Sequence, residues 1–205
     1  MITCMYKIIC ITNRKLCQGD FGEQMQKIIS AKPDKIIVRE KDLTENDYSI
    51  LLERIVRMCE NSGIEVTAHS FVNTAKMLGV RSIHVPLDRL RKMSEDEKQF
   101  FHQIGASCHS VEDAQEALAL GADYIIAGHI FETDCKKGLA GRGLDFLHEV
   151  CTSVSLPVYA IGGINADNIR DIVRAGAEGA CLMSSFMRCH NPAEYVRRLR
   201  QNQSE

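Results

Sequence analysis

Val158-Tyr159-Ala160-Ile161-Gly162-Gly163-Ile164-Asn165 decides the fold: a short apolar run stops at two glycines, and a helical pattern follows. The run is short and apolar throughout, which marks a strand covered on both faces, as in a parallel sheet. Outward from it, the same alternation fills the chain. Runs of this kind lie at Tyr6–Thr12, Lys35–Arg39, Ile64–Ala68, Ser82–Val85, Gly105–Cys108, Tyr124–Ala127, Val158–Ile161 and Gly179–Met183. Amphipathic stretches separate them. Glu45–Asn61 carries an apolar stripe and stops at Gly63. Ser110–Leu120 opens on a capping serine, with Asp113 three residues on, and ends at Gly121. Asn165–Ala175 follows an asparagine cap and closes at Gly176, and Asn191-Pro192 starts the last helix.

Eight strand–helix units in 205 residues average about 26 each, tight but sufficient for a (β/α)8 TIM barrel. A doubly wound open sheet gives the same alternation. The count of eight and the glycines after the seventh strand favour the barrel. No linker, low-complexity stretch or charge block divides the chain, so one domain over residues 1–205 is expected.

Composition limits the function. With 25 basic and 27 acidic residues the net charge is −2, which argues against a protein built to grip nucleic acid or an anionic membrane. No apolar run approaches the roughly 20 residues of a transmembrane helix. The opening Met1–Cys10 has neither a basic lead nor a small-residue cleavage site. The nine cysteines include Cys4, Cys135 and Cys181; they are scattered, mostly in apolar runs, with no Cys-x-x-Cys. That pattern reads as reduced core thiols in a cytoplasmic protein rather than a disulfide framework or a zinc site.

A barrel builds its site from the loops that follow the strands. After the second strand, Arg39-Glu40-Lys41-Asp42 places two cations within three residues, a pattern that a solvated turn also gives. After the fifth come Ser107, Cys108, His109 and Ser110. The sixth strand leads into Gly128-His129-Ile130-Phe131-Glu132-Thr133-Asp134-Cys135-Lys136-Lys137-Gly138 and on to Gly143, sixteen residues with little periodicity. A loop of that length in a compact domain is usually a lid or binding loop, or disordered. His129 stands just past the strand end, and imidazole suits proton transfer near neutral pH. The Gly138, Gly141, Gly143 spacing is not a dinucleotide fingerprint. After strand seven, Gly162 and Gly163 let backbone N–H groups approach an anion, and the next helix offers its positive end. Met183-Ser184-Ser185-Phe186 provides further donors after strand eight, and loops seven and eight are the usual phosphate cradle of barrels. The residues therefore point to a phosphorylated small molecule, with a histidine and several cations facing its other end.

Ile37-Val38-Arg39-Glu40-Lys41, Gly105-Ala106-Ser107-Cys108-His109-Ser110, the Gly128–Gly143 loop and Ala160-Ile161-Gly162-Gly163-Ile164 together resemble the thiamine-phosphate synthase superfamily, over Ile9 to about Arg200. Within it the chain resembles the thiazole tautomerase (TenI) branch, because synthases typically carry proline where His129 stands. Synthases also place an Asn-Asp pair after the third strand and an aspartate after the fourth, which help hold magnesium. The matching positions here read His69-Ser70 and Arg89, with Asp88 one residue away. Losing hard oxygen ligands argues against Mg²⁺.

The resemblance implies an isomerase that aromatises a carboxylated thiazole phosphate by moving one proton, with no cofactor or metal. His129 would be the acid/base. Arg39, Lys41, Ser107, Thr133 and Lys136 would contact the substrate, and Gly162, Gly163, Met183 and Ser184 would bind phosphate. Cys135 is expected to make packing or lid contacts. The small thiazole phosphate is the expected partner, with no nucleic acid and no membrane; association into homo-oligomers through the outer helices is left open. Two other readings stand beside it: a magnesium-dependent thiamine-phosphate synthase, and a non-catalytic regulatory protein that binds a phosphorylated ligand.

Overall fold

The computed structural model describes residues 6–136 and 138–201; the stretch up to Met5, which includes Cys4, and Lys137 lie outside the described residues. Eight parallel strands close into a barrel: β1 (Lys7–Ile11), β2 (Lys35–Val38), β3 (Glu65–His69), β4 (Ser82–Pro86), β5 (Gln103–Cys108), β6 (Tyr124–Gly128), β7 (Val158–Ile161) and β8 (Gly179–Leu182). They pair in sequence order, and β8 closes on β1 with Ile9 opposite Cys181. The strands are short, four to six residues each, and mostly buried. The closed ring leaves no unpaired sheet edge. Among the described residues no helix is long and apolar enough to cross a membrane.

Side-chain caps fix where several helices begin. Asp20 accepts from the Glu23 N–H at 2.9 Å and opens Phe21–Ser30. Thr44 accepts from the Asp47 N–H at 3.2 Å and opens Glu45–Cys59. Ser110 does cap Val111–Ala119, accepting from the Asp113 N–H at 3.0 Å. Asn165 does not cap a helix. The helix after β7 is Ile169–Arg174, with Asn168 at its start. The four residues before it form a turn in which Asn165 accepts from the Asp167 N–H at 2.8 Å. Asn168 Nδ2 donates to the Gly163 carbonyl at 2.9 Å. The asparagine oxygens compete for local N–H groups and delay the helix. Its positive end therefore does not directly adjoin the two glycines.

The core has two parts. A large apolar shell lies between strands and helices, including Ile8, Ile36, Leu52, Ile83, Leu147 and Ile172. A smaller cluster of Ile9, Ile11, Ile37, Tyr124, Ile126 and Cys181 packs separately and lies towards the site. Alongside it is a polar group that the continuously apolar reading of the strands missed. Lys35 Nζ hydrogen-bonds Gln103, lies 3.3 Å from Glu65 and sits 4.6 Å over the Tyr124 ring. Thr67 and Ser82 share a hydrogen bond of 2.9 Å.

Gly105 is the tightest point of this packing, since a Cβ there would overlap the Tyr124 ring. Overpacking of this kind costs about 1–3 kcal/mol. Gly105→Ala should lower Tm by roughly 2–4 °C for each kcal/mol lost. Gly19→Ala, with nothing within 4 Å of the added carbon, should leave Tm unchanged in the same thermal melts.

Candidate functional site

A cavity of about 460 Å³ opens at the C-terminal ends of the strands, within the range of small-molecule sites. Every sequence-predicted site residue lines it: His129; Arg39, Lys41, Ser107, Thr133 and Lys136; Gly162, Gly163, Met183 and Ser184. They come from five loops and meet because parallel strands deliver all their following loops to one face.

His129 follows β6 and is half-buried. Its Nε2 lies 3.2 Å from the Leu139 carbonyl on the far limb of the same loop. A carbonyl can only accept, so Nε2 donates and Nδ1 carries the lone pair of the neutral ring. The loop's base is tied on both sides. Arg142 N–H donates to the His129 carbonyl at 2.9 Å, and Gly143 N–H to that of Ile130 at 3.0 Å. Ile130 N–H donates to the Ile161 carbonyl at 2.9 Å, and Phe131 N–H to that of Gly162 at 3.0 Å. The loop thus continues the pairing of β6 with β7 past the barrel rim. Gly162 and Gly163 permit this approach: a Cβ on Gly162 would overlap His129, and one on Gly163 would lie 2.6 Å from Phe131 Cβ. Both have positive φ, 103° and 67°.

The cations occupy the β2 and β6 sides. In Arg39-Glu40-Lys41-Asp42 the acidic residues turn away: Glu40 pairs with Arg14 at 3.0 Å, and Asp42 with Arg14 at 2.7 Å and Lys15 at 2.9 Å. Arg39 and Lys41 line the cavity instead, and Lys136 joins them from the sixth loop. None of the three has an ion-pair partner among the described residues. Burial lowers the pKa of Arg39. Burial and the charges of Arg39 and Lys136 lower that of Lys41. Such a group of like charges gains from an incoming anion. At the β7–β8 side, the N–H groups of Gly162, Gly163, Met183 and Ser184 make no hydrogen bond among the described residues. Ser184–Met187 is a short helix with no side-chain cap, so its first N–H groups stay available.

Four features escaped the sequence reading. His84 and His109 line the cavity without having been assigned a role there. For His84, the alternation Ser82, His84, Pro86 along β4 was the available signal, because it puts the imidazole on one face of the strand. His109 Nδ1 bonds the Gly128 carbonyl at 2.9 Å and braces the start of the sixth loop. Cys135 is exposed on the cavity wall, so of the expected packing or lid contacts it does not make the packing ones. It lies beside Arg39, and no apolar surface covers it. His69 is on the cavity wall, held through its N–H by Tyr48 Oη at 2.7 Å, and Tyr48 donates onward to the Val38 carbonyl at 2.8 Å. Burial, then the charges of Arg39 and Lys41, lowers the His69 pKa to about 3, so the ring is neutral. The eight described cysteines are free thiols.

The positions that would correspond to a magnesium site do not assemble one. His69 Nδ1 is engaged by Ser70 Oγ at 2.8 Å. Arg89 pairs with Glu97 at 2.9 Å, and Asp88 is 81% exposed and paired with Arg91. Neither Arg89 nor Asp88 lines the cavity. Among the described residues no group of three His, Cys, Asp or Glu is placed to hold a metal. A divalent cation preferring carboxylate oxygens does not fit this wall.

The family model described as thiamine monophosphate synthase matches residues 8–186. A relative named thiamine-phosphate synthase from Shouchella clausii is 30% identical over 189 residues, covering 89% of this chain and 88% of its own. One of the same name from Fusobacterium nucleatum is 28% identical over 187 residues, covering 88% and 89%. Among solved structures, thiamine phosphate pyrophosphorylase from Pyrococcus furiosus superposes with a TM-score of 0.82 at 24% identity, covering 99% of this chain and 98% of its own. A 3-hexulose-6-phosphate synthase gives 0.73 at 16%, covering 95% and 98%. The two structural likenesses concern the fold. With the family match spanning most of the barrel, the chain belongs to the thiamine monophosphate synthase/TenI family.

Proposed function

We propose that this protein is a thiazole tautomerase of thiamine biosynthesis, an isomerase that aromatises a carboxylated thiazole phosphate. The observation that carries the reading is His129: an imidazole on the cavity wall whose Nε2 is held by Leu139. Its Nδ1 is left as a base.

In the substrate a ring carbon, C2, bears a hydrogen and a carboxylate, and an exocyclic C=C interrupts the aromatic system. His129 Nδ1 takes the C2 proton, and the C–H electron pair enters the ring. The exocyclic C=C pair then takes that proton from the imidazolium, and the aromatic sextet is closed. Nothing is oxidised or reduced, and no leaving group departs. Arg39, Lys41 and Lys136 face the carboxylate, where negative charge develops as C2 loses its proton. Cations already in place stabilise that charge without reorganising. Thr133 and Ser107 supply further polar contacts. The phosphate lies at the opposite end against the N–H groups of Gly162, Gly163, Met183 and Ser184, which fixes the distance from His129 to the reacting carbons.

The names of the similar proteins favour a second reading, a magnesium-dependent thiamine-phosphate synthase. Against it stand His69, Ser70 and Arg89 where that chemistry needs oxygen ligands. Their present partners leave no oxygen cluster to hold the magnesium that would neutralise a pyrophosphate.

Following conversion of the non-aromatic thiazole phosphate by ultraviolet absorbance gives the direct test. His129→Asn should lower kcat by about 10²–10⁴-fold, the usual worth of a positioned base, with little change in affinity for the aromatic product. A variant that turns over normally removes His129 from the mechanism. Wild-type protein that makes thiamine phosphate efficiently from both synthase substrates and magnesium overturns the tautomerase reading itself.

Substituting Gly163 would be an ambiguous probe of the phosphate cradle, because any side chain there also pushes the sixth loop. Ser184→Asp is cleaner. It sets a carboxylate at the start of the short helix and should weaken product binding at least tenfold, about 1.4 kcal/mol, through like-charge repulsion. Unchanged affinity in calorimetry would place the phosphate elsewhere.

A further inference from the structure

Tyr124, His84 and Ser107 form a hydrogen-bonded chain that runs from the barrel interior to the cavity wall. Tyr124 Oη lies 3.3 Å from His84 Nδ1, and His84 Nε2 lies 2.8 Å from Ser107 Oγ. Tyr124 and His84 are 1% and 3% exposed, whereas Ser107 is half-buried and lines the cavity. Burial keeps the Tyr124 phenol protonated. Burial, then the neighbouring charges of Lys35 and Arg39, keeps the His84 imidazole neutral.

The direction of the chain follows from Tyr124. Among the described residues its hydroxyl has His84 as its sole hydrogen-bond partner. A buried O–H left without an acceptor costs about 1–3 kcal/mol, so the phenol donates and Nδ1 accepts. A neutral imidazole carries one N–H, which is then on Nε2 and donates to Ser107 Oγ. The Ser107 hydrogen cannot point back along that bond. It is left for the cavity, where no protein acceptor takes it among the described residues.

We propose that the Tyr124–His84–Ser107 chain fixes Ser107 as a one-way hydrogen-bond donor to the ligand, so that the site selects a molecule presenting an unprotonated acceptor at the β5 wall. A carboxylate oxygen and a bare ring nitrogen share that chemistry. His84 and Tyr124 act through Ser107 and are positioning residues. In naming what the ligand must present, the inference deepens the tautomerase reading and rests on it; the direction of the chain does not.

Nitrogen-15 labelling of histidine in the full chain reads the tautomer, with His84→Gln to assign the signal. Ligand-free protein should show His84 protonated on Nε2, with Nδ1 shifted by an accepted hydrogen bond that Tyr124→Phe abolishes. Protonation on Nδ1 would overturn the proposal. In calorimetry with the aromatic carboxythiazole phosphate, Ser107→Ala should weaken binding about fivefold, the worth of one hydrogen bond. Tyr124→Phe should weaken it too, yet add nothing in the Ser107→Ala background, because coupled residues are not additive. Affinity for inorganic phosphate should not move. Repeating the series with the thiazole phosphate lacking its carboxylate assigns the acceptor: an equal loss puts it on the ring nitrogen, and no loss puts it on the carboxylate. Unchanged affinity for the carboxylated ligand in Ser107→Ala sinks the proposal. Absence of turnover in a protein whose His84 is protonated on Nε2 sinks the tautomerase reading alone.

Discussion

The contact between the end of β7 and the base of the sixth loop is the constraint on which the site depends. Gly162 and Gly163 have no side chains, so His129 and Phe131 can lie directly against their α-carbons. The backbone bonds from Ile130 and Phe131 then form. The same pair of glycines lines the cavity, and its N–H groups make no hydrogen bond among the described residues. One local feature therefore positions both the proposed base and the proposed anion cradle, and holds them at a fixed separation. A reaction that moves a proton within one bound molecule needs that separation more than it needs strong binding, since positioning supplies much of the rate.

The electrostatics follow a similar economy. The chain is nearly neutral overall, yet the cavity wall carries three cations without ion-pair partners among the described residues. Alternation along Arg39-Glu40-Lys41-Asp42 achieves this. The acidic residues satisfy Arg14 and Lys15 outside the cavity, and Glu40 also accepts from the Arg14 N–H at 2.9 Å. The Arg39 N–H is anchored on the wholly buried Thr12 at 2.9 Å, which fixes where its side chain starts. Local pairing, rather than net charge, creates the field that an anionic ligand meets.

Much of this was legible in the sequence because parallel barrels write their order into the chain. Each buried strand is a separate apolar run, and each ends where its loop begins, so strand positions and loop residues could be read together. Strand ends moved by no more than two residues. What the sequence hid were interactions across strands. Nothing in Ser82-Ile83-His84-Val85 says that the imidazole meets Tyr124, forty positions away. Nothing in Ile164-Asn165 says that Asn168 takes over Asn165's place at the helix start. Cys135 was misjudged for the opposite reason: it sits in a stretch with no periodicity, so its exposure had no local signature.

The neutral histidines in the wall connect the fold to the chemistry. Burial, with the charges of Arg39 and Lys41, holds His69 uncharged, and burial with those of Lys35 and Arg39 does the same for His84. With Arg39, Lys41 and Lys136 on it, this wall favours an anion over a divalent cation. On the tautomerase reading that preference is an advantage. Negative charge appears only transiently, as C2 gives up its proton, and fixed cations meet it without a metal having to bind first. A shared barrel and phosphate cradle can thus serve a metal-assisted substitution in one branch and a proton shift in another. On that reading the decisive features are few: an imidazole at the head of the sixth loop, and no cluster of metal ligands among the described residues.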